Sequence, residues 1–159
     1  MNIVVDDLSG PEVAEFLTGH VRQMRSITPA EFAFALDLDA LRKPDVTFWT
    51  VRDDDGTLVG CAALKRLDGG GHAELKSMRT ATDRLRSGVA SRLLEHIIAE
   101  ARRTGVTRIS LETGTDEFFA PARRLYAKFG FTPCPPFGDY QASAHNTFMT
   151  LPVAATSGK

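Results

Sequence analysis

The sequence has few of the residues that mark disulfide-stabilised or metal-binding proteins. Its 159 residues include only two cysteines, Cys61 and Cys134, and they form no CxxC pair. Two distant cysteines are typical of reduced thiols, and they argue against a disulfide framework. The histidines also lack the spacing of metal ligands, so the sequence predicts no metal site. The four histidines are His20, His72, His96 and His145.

The chain also lacks an excess of one charge and a long apolar run. Nineteen basic and twenty acidic residues leave a formal net charge of −1. No overall field therefore attracts nucleic acid or an anionic membrane, and an anion must be bound locally. The N-terminal MNIVVDDLSG has acids where a signal peptide needs bases, and no segment could span a bilayer. We expect a cytoplasmic protein without a nucleic-acid or membrane partner.

Alternating apolar residues and turn signals predict seven strands in a single domain over residues 1–153, followed by a short polar tail at 154–159. The run from Asp53 to Gly56 ends in Asp-Gly, a strong signal for a hairpin turn. The predicted strands are Asn2–Val5, Val46–Arg52, Leu58–Leu67, Ala73–Thr80, Arg108–Thr113, Phe131–Pro133 and Thr147–Leu151.

Helical spacing of apolar residues predicts about four helices. They run from Pro11 to Arg25, from Glu31 to Arg42, from Val89 to Arg102 and from Phe118 to Lys128. The third connects two predicted strands, and such a crossover returns the chain parallel to its starting strand. The third helix is amphipathic. Its predicted apolar face consists of Val89, Leu93, Leu94, Ile97, Ile98 and Ala101.

A polar turn, ATDRLRSG, leads into this amphipathic helix. The first N–H groups of a helix lack intrahelical partners, and the macrodipole favours an anion there. Gly88 would let the backbone approach a phosphate closely. The alternative interpretation is an ordinary helix start in which Ser87 is the N-cap.

Two segments carry a resemblance to a known family. LRSGVA at Leu85–Ala90, followed by SRLLEHIIAEARRTG, is similar to a Gln/Arg-x-x-Gly-x-Gly/Ala turn and its helix. ARRLYAKFGF at Ala122–Phe131 is similar to a second block of the same family. Together and in this order, they resemble the GCN5-related N-acetyltransferase (GNAT) family over nearly the whole chain.

This resemblance implies a fold, a co-substrate and a partner. The fold is an α/β single domain, with a mixed, mostly antiparallel twisted sheet of about six to seven strands flanked by about four helices. The activity is transfer of an acetyl group from acetyl-CoA, without a metal, to an amine of a small molecule or peptide. The protein is expected to be a monomer or a homodimer.

The resemblance also implies which residues bind acetyl-CoA. Backbone groups at the end of the fourth strand pair with the pantetheine arm, and the turn holds the pyrophosphate. Leu85 stands where the family prefers Gln or Arg, so Arg84 or Arg86 must supply a charge, or the backbone binds alone. Phe119 replaces an Asn that many relatives carry. The implied residues are Met78, Arg79, Thr80, Arg84, Arg86, Ser87, Gly88, Val89, Ala90 and Ser91.

Two residues match catalytic positions of the family. Glu74, on the fourth strand and 14 positions before Gly88, is the candidate general base. Tyr126 matches the Tyr that protonates the departing CoA thiolate. The alternatives are a surface ion pair for Glu74 with a neighbouring Lys or Arg, and a core aromatic with a wet hydroxyl for Tyr126.

The acceptor pocket is expected between the 25–44 region and the 133–146 loop. Asp139 could hold a cationic amine there, although aromatic residues at helical spacing are often core residues instead. The possible lining residues are Phe32, Phe34, Phe118, Phe137 and Tyr140.

The sequence offers two alternatives to an enzyme. The departures at Leu85 and Phe119 leave open a non-catalytic acyl-CoA-binding sensor module with the same fold. A nucleotide-binding regulator is disfavoured, because the turn lacks the P-loop Lys.

Overall fold

The computed structural model of the chain describes residues 1–17, 38–67, 71–84, 87–138 and 140–153. Seven strands form one sheet in the order β1-β2-β3-β4-β5-β7-β6. Only the β4–β5 pair is parallel, so the predicted mixed, mostly antiparallel sheet is confirmed. The strands are β1 (Asn2–Val5), β2 (Val46–Arg52), β3 (Leu58–Arg66), β4 (His72–Thr80), β5 (Arg108–Gly114), β6 (Thr132–Pro133) and β7 (Asn146–Pro152).

The described residues include the α-helices α2 (Leu38–Leu41), α3 (Val89–Arg103) and α4 (Ala120–Lys128). Residues 11–17 are also helical and are called α1. The remainder of the two predicted N-terminal helices, residues 18–25 and 31–37, lies outside the described residues. No helix within the described ranges is long and apolar enough to cross a membrane.

Helix α3 packs on one face of the sheet through the predicted stripe. All six residues of that stripe are buried, and the helix begins at Val89 as predicted. The stripe joins a core cluster that includes Leu75 and Leu111 from the sheet and Tyr126 from α4. Helices α3 and α4 therefore cover the same face.

The opposite face of the sheet packs against α1 and α2. Its cluster joins Val13 and Leu17 of α1 and Leu41 of α2 to Phe48 and Cys61 of the sheet. The sheet is thus the middle of three layers, and alternate residues along each strand point into different layers. This alternation decides which side chains of β4 and β5 share a face.

Candidate active site

The sheet opens between β4 and β5. These strands pair in parallel only from His72 to Glu74, with Arg108 to Ser110 as partners. Further along, β4 continues to pair with β3 and β5 continues to pair with β7. No other strand in the described ranges pairs with the inner edges beyond this point. Separated strand edges of this kind can pair with an extended ligand through their backbone N–H and C=O groups.

A β-bulge lies on β4 beside the opening. Two residues of β4, Ser77 and Met78, stand opposite Ala62 of β3. Ser77 has a positive φ of 58°, and its carbonyl accepts a hydrogen bond from the buried Cys61 thiol at 3.4 Å. Burial raises the pKa of Cys61 to about 12, so the thiol keeps its proton. The bulge interrupts the alternation and turns Met78 toward the α3 layer, where Leu75 also packs.

The first turn of α3 has no cap from a side chain. Its N-cap is Gly88, at φ 89°, and the turn contains no acidic residue. The alternative in which Ser87 is the N-cap is wrong, because Gly88 is the N-cap and the Ser87 hydroxyl donates to the carbonyl of Arg84 at 2.5 Å. The turn thus leaves its N–H groups uncapped by any described side chain, as an anion-binding helix start requires.

Gly60 sets the position of this turn above the sheet. A Cβ at Gly60 would lie 2.8 Å from Cγ1 of Val89, the first residue of α3, and 3.2 Å from the carbonyl oxygen of Arg79. Only a residue without a side chain allows this approach. The start of α3 is therefore packed directly onto β3 and β4 at the end where β4 and β5 separate.

Arg84 connects the turn to the β2–β3 hairpin. Its guanidinium forms an ion pair with the Asp53 carboxylate at 2.7 Å. Asp53 also accepts a hydrogen bond from the Thr57 backbone N–H within the hairpin turn. Arg84 is thus engaged with protein, whereas Leu85 and Arg86 lie outside the described residues.

Tyr126 reaches β4 from the α3 and α4 side of the sheet. Its side chain is buried, and its ring packs against Phe131 with a centroid distance of 5.7 Å. Its hydroxyl lies 3.7 Å from the Met78 sulfur, at the bulge. Burial raises the pKa of Tyr126 to about 12, so the phenol is protonated at neutral pH. The ring is a core aromatic, and its hydroxyl faces β4 rather than water.

Glu74 lies on the other face of the sheet, at the last position where β4 pairs with β5. Its side chain is 5% exposed, and its carboxylate accepts a hydrogen bond of 2.5 Å from the Tyr140 hydroxyl. The alternative of a surface ion pair is therefore wrong. Burial, together with the charge of Glu74, raises the pKa of Tyr140, which keeps this donor protonated.

The loop between β6 and β7 supplies the aromatic surroundings of Glu74. The Phe137 ring packs against Tyr140, Phe148 and His72, with centroid distances of 5.3, 5.9 and 5.8 Å. Phe137 and Tyr140, two of the proposed lining residues, are thus brought together. Phe32, Phe34 and Asp139 lie outside the described residues.

Phe119 closes the far end of β5. A Cβ at Gly114 would overlap the Phe119 ring, so the ring occupies the space that a side chain would take. Phe118 stacks edge-on against Phe119 at 5.1 Å and is 45% exposed. Phe118 therefore lies just before α4, in contact with Phe119, and apart from Phe137 and Tyr140, which contact residues of β4 and β7.

Comparison with known proteins places this arrangement in a family. Residues 13–131 match the Acetyltransferase (GNAT) family. The chain belongs to the GNAT family. It is an N-acetyltransferase, as the resemblance predicts.

Named relatives and a solved structure agree with this. The chain is 47% identical to the uncharacterized N-acetyltransferase YsnE of Bacillus subtilis (strain 168), over 94% of this chain and 98% of YsnE. It is 46% identical to the uncharacterized N-acetyltransferase YedL of Escherichia coli (strain K12), over 94% and 92%. An aminoglycoside 6'-N-acetyltransferase complexed with coenzyme A has the same fold, with a TM-score of 0.70, 16% identity and 96% and 97% coverage.

One titratable residue of this GNAT site is not predicted from the sequence. Glu112, on β5, lies just past the last paired position of the two strands. Burial, together with the nearby charge of Glu74, raises its pKa to about 7, although a hydrogen bond from Asn146 acts to lower it. Its position is two residues after Ser110, the partner of Glu74, which is a signal visible only once the strand register is known.

We predict that Glu112→Gln stabilises this GNAT enzyme at pH 8 more than at pH 5. Glu112 holds its proton more tightly when folded than when unfolded, so the free energy of unfolding falls as pH rises from about 4.5 to about 7. Removing the ionisable group abolishes that loss and adds about 1–3 kcal/mol at pH 8. Urea unfolding at both pH values measures it, with the exposed Glu95→Gln as the matched control. An equal effect at both pH values would contradict the prediction.

Proposed function

We propose that this enzyme transfers an acetyl group from acetyl-CoA to a primary amine of a small molecule or peptide, by direct attack of the amine. The observation that carries the proposal is the opening between β4 and β5, with the Tyr126 hydroxyl approaching β4 from one face and the Glu74 carboxylate on the other. A thioester placed in the opening would meet a proton donor on one side and a proton acceptor on the other.

In the proposed complex, backbone groups bind both the pantetheine arm and the pyrophosphate of acetyl-CoA. The edge of β4 that faces β5, at Met78, Arg79 and Thr80, would pair with the pantetheine amides as a further strand does. The N–H groups at the start of α3, from Gly88 to Ser91, would hold the pyrophosphate, with Ser87 beside them. The coenzyme A complex of the aminoglycoside 6'-N-acetyltransferase, which shares the fold, supports this choice of co-substrate.

The two arginines before the turn would act differently. Arg84 is held by Asp53, so in this proposal it fixes the turn and adds positive charge near the phosphates. Arg86 would supply the direct contact that Leu85 cannot make. The charge of the site is thus local, as the balanced charge of the whole chain requires.

In the proposed reaction, the amine attacks the thioester carbonyl carbon and forms a tetrahedral oxyanion. A backbone N–H near Met78, where the bulge distorts β4, would stabilise that oxyanion. Glu74 would accept the proton of the amine, directly or through a water. The C–S bond then breaks, and Tyr126, which is neutral at pH 7, would give its proton to the thiolate.

A binding and turnover experiment tests the function as a whole. We expect calorimetric titration to show binding of acetyl-CoA, and a thiol-release assay over a panel of amines to show turnover with at least one of them. Binding without thiol release for any amine would favour the acyl-CoA sensor. The absence of binding would refute both.

The turn can be tested separately from stability by Ser91→Glu. A Glu in the first turn favours the helix macrodipole, so the melting temperature should stay equal or rise. The same carboxylate would repel the pyrophosphate, so the affinity for acetyl-CoA should fall by about tenfold or more. Ala99→Glu adds the same charge at an exposed position about 12 Å further along α3 and should leave the affinity unchanged. Equal affinities in both variants would count against phosphate binding at the turn.

Tyr126→Phe tests the proton donor. The ring and its packing are kept, so the affinity for acetyl-CoA should change little, whereas kcat should fall by about 100-fold or more, because the thiolate loses its proton donor. Calorimetry and steady-state kinetics measure the two quantities. An unchanged kcat under conditions where chemistry limits the rate would refute this role.

A further inference from the structure

Glu112 occupies a position on β5 that the proposed reaction does not yet use. In the register of the sheet, Glu74 pairs with Ser110, and Glu112 follows two residues later on the same face of β5. At that point β4 no longer pairs with β5, so the Glu112 side chain borders the opening. Glu112 pairs across β5–β7 with Phe148, one of the aromatic residues that contact Phe137 and Tyr140.

The surroundings hold Glu112 beside Glu74. Asn146, itself buried, donates a hydrogen bond to the Glu112 carboxylate and also donates to the carbonyl of Gln141. The Glu74 carboxylate is fixed by the Tyr140 hydroxyl. Two carboxylates from the two separating strands are therefore held by different donors on the same face of the sheet.

We propose that Glu112 is a second proton-accepting residue of the acetyl transfer, so that Glu74 and Glu112 take up the amine's proton as a pair. This inference rests on the proposed function. A carboxylate with its ordinary pKa is a weak base toward an ammonium group at pH 7. Burial and the charge of Glu74 raise the pKa of Glu112 to about 7. Glu112 is therefore a stronger base than an ordinary carboxylate.

The proton balance of the step is simple. An acceptor arriving as R–NH3⁺ loses one proton to the ionised carboxylate pair and becomes the free amine. The nitrogen lone pair then forms the C–N bond, the C–S bond breaks, and the thiolate gains a proton from Tyr126. The N–H proton lost from the attacking nitrogen restores Tyr126, and the proton on the pair passes to solvent. The products are the acetylated amine, CoA–SH and H⁺.

Other charged and titratable groups also face this pair. On β4, His72 and Lys76 flank Glu74 on the same face, and Lys65 of β3 is its register partner. On β5, Arg108 precedes Ser110, and its guanidinium donates to Thr150. The Tyr140 phenol stays neutral. The imidazole of His72 lies on the same face as Glu112, so a test must separate the two residues.

The pH dependence of kcat/KM tests the proposal, with acetyl-CoA and the best amine of the panel. We expect an acidic limb with a midpoint near pH 7 in the native enzyme. Glu112→Gln should remove this limb and lower kcat/KM at pH 7.5 by about 10- to 100-fold. Glu74→Gln should move the limb to lower pH, because the neighbouring charge is lost. Glu112→Asp should keep a limb, and the exposed Glu95→Gln should match the native profile.

A spectroscopic titration keeps the proposal testable if Glu112→Gln fails to fold. Carboxyl carbon NMR of the native enzyme and of Glu74→Gln should show Glu112 titrating near pH 7 in the first and at lower pH in the second. Titration at the ordinary glutamate pKa in the native enzyme would overturn the proposal. A native acidic limb that persists unchanged in Glu112→Gln would also overturn it and would point to His72.

The same experiments separate this inference from the proposed function. If the native enzyme releases thiol with an amine but Glu112→Gln is as active as native at every pH, only the inference fails. If no amine of the panel is acetylated, the proposed function fails, and the inference fails with it.

Discussion

The short parallel pairing of β4 and β5 is the constraint on which the site depends. The two strands are joined at only three positions, ending with Glu74 and Ser110. At this junction the Ser110 hydroxyl lies within hydrogen-bond distance of both His72 and Thr150, at 2.7 and 2.8 Å, so side chains of β4, β5 and β7 are joined across the sheet. A longer pairing would close the sheet, whereas none would leave two unconnected halves. The opening needs a junction that is firm and short.

The two faces of the opening differ in chemistry because they belong to different layers. On the α3 and α4 side, Tyr126 and Met78 are surrounded by the larger apolar cluster, which excludes water and keeps the phenol protonated. On the other side, the β6–β7 loop brings an aromatic wall and a hydroxyl donor to the carboxylates. The two layers put the proposed acid and the proposed base on opposite sides of one sheet. Such separation allows the two groups to keep opposite protonation states.

Most of the fold follows from local patterns. The stripe on α3, the Asp-Gly hairpin and the parallel crossover are properties of short segments and general chain rules, and all three match the structure. The sequence of β4 indicates the bulge at Ser77, because its apolar residues on the α3 side change from odd positions to an even one at Met78. The match with the GNAT family supports the interpretation of the two motifs.

The parts that sequence reasoning missed depend on contacts between distant residues. Tyr140 donates to Glu74 across 66 positions, and nothing near either residue indicates the contact. The pKa of Glu112 depends on burial and on two partners from other strands, so it becomes visible only with the sheet assembled. Ser87 is a local exception. It is a good N-cap by residue type, yet Gly88 is the N-cap and the Ser87 hydroxyl donates to the carbonyl of Arg84, three residues earlier.

Gly60 shows how a residue can govern a ligand site without facing it. The bare Cα lets Val89 settle onto β3, and this contact fixes the height of the α3 turn above the sheet. A single methyl group there would lift the helix start by several tenths of an ångström and carry its N–H groups with it. The absence of a side chain at Gly60, on a strand outside the proposed acetyl-CoA site, therefore sets how far the α3 turn lies from the edge of β4.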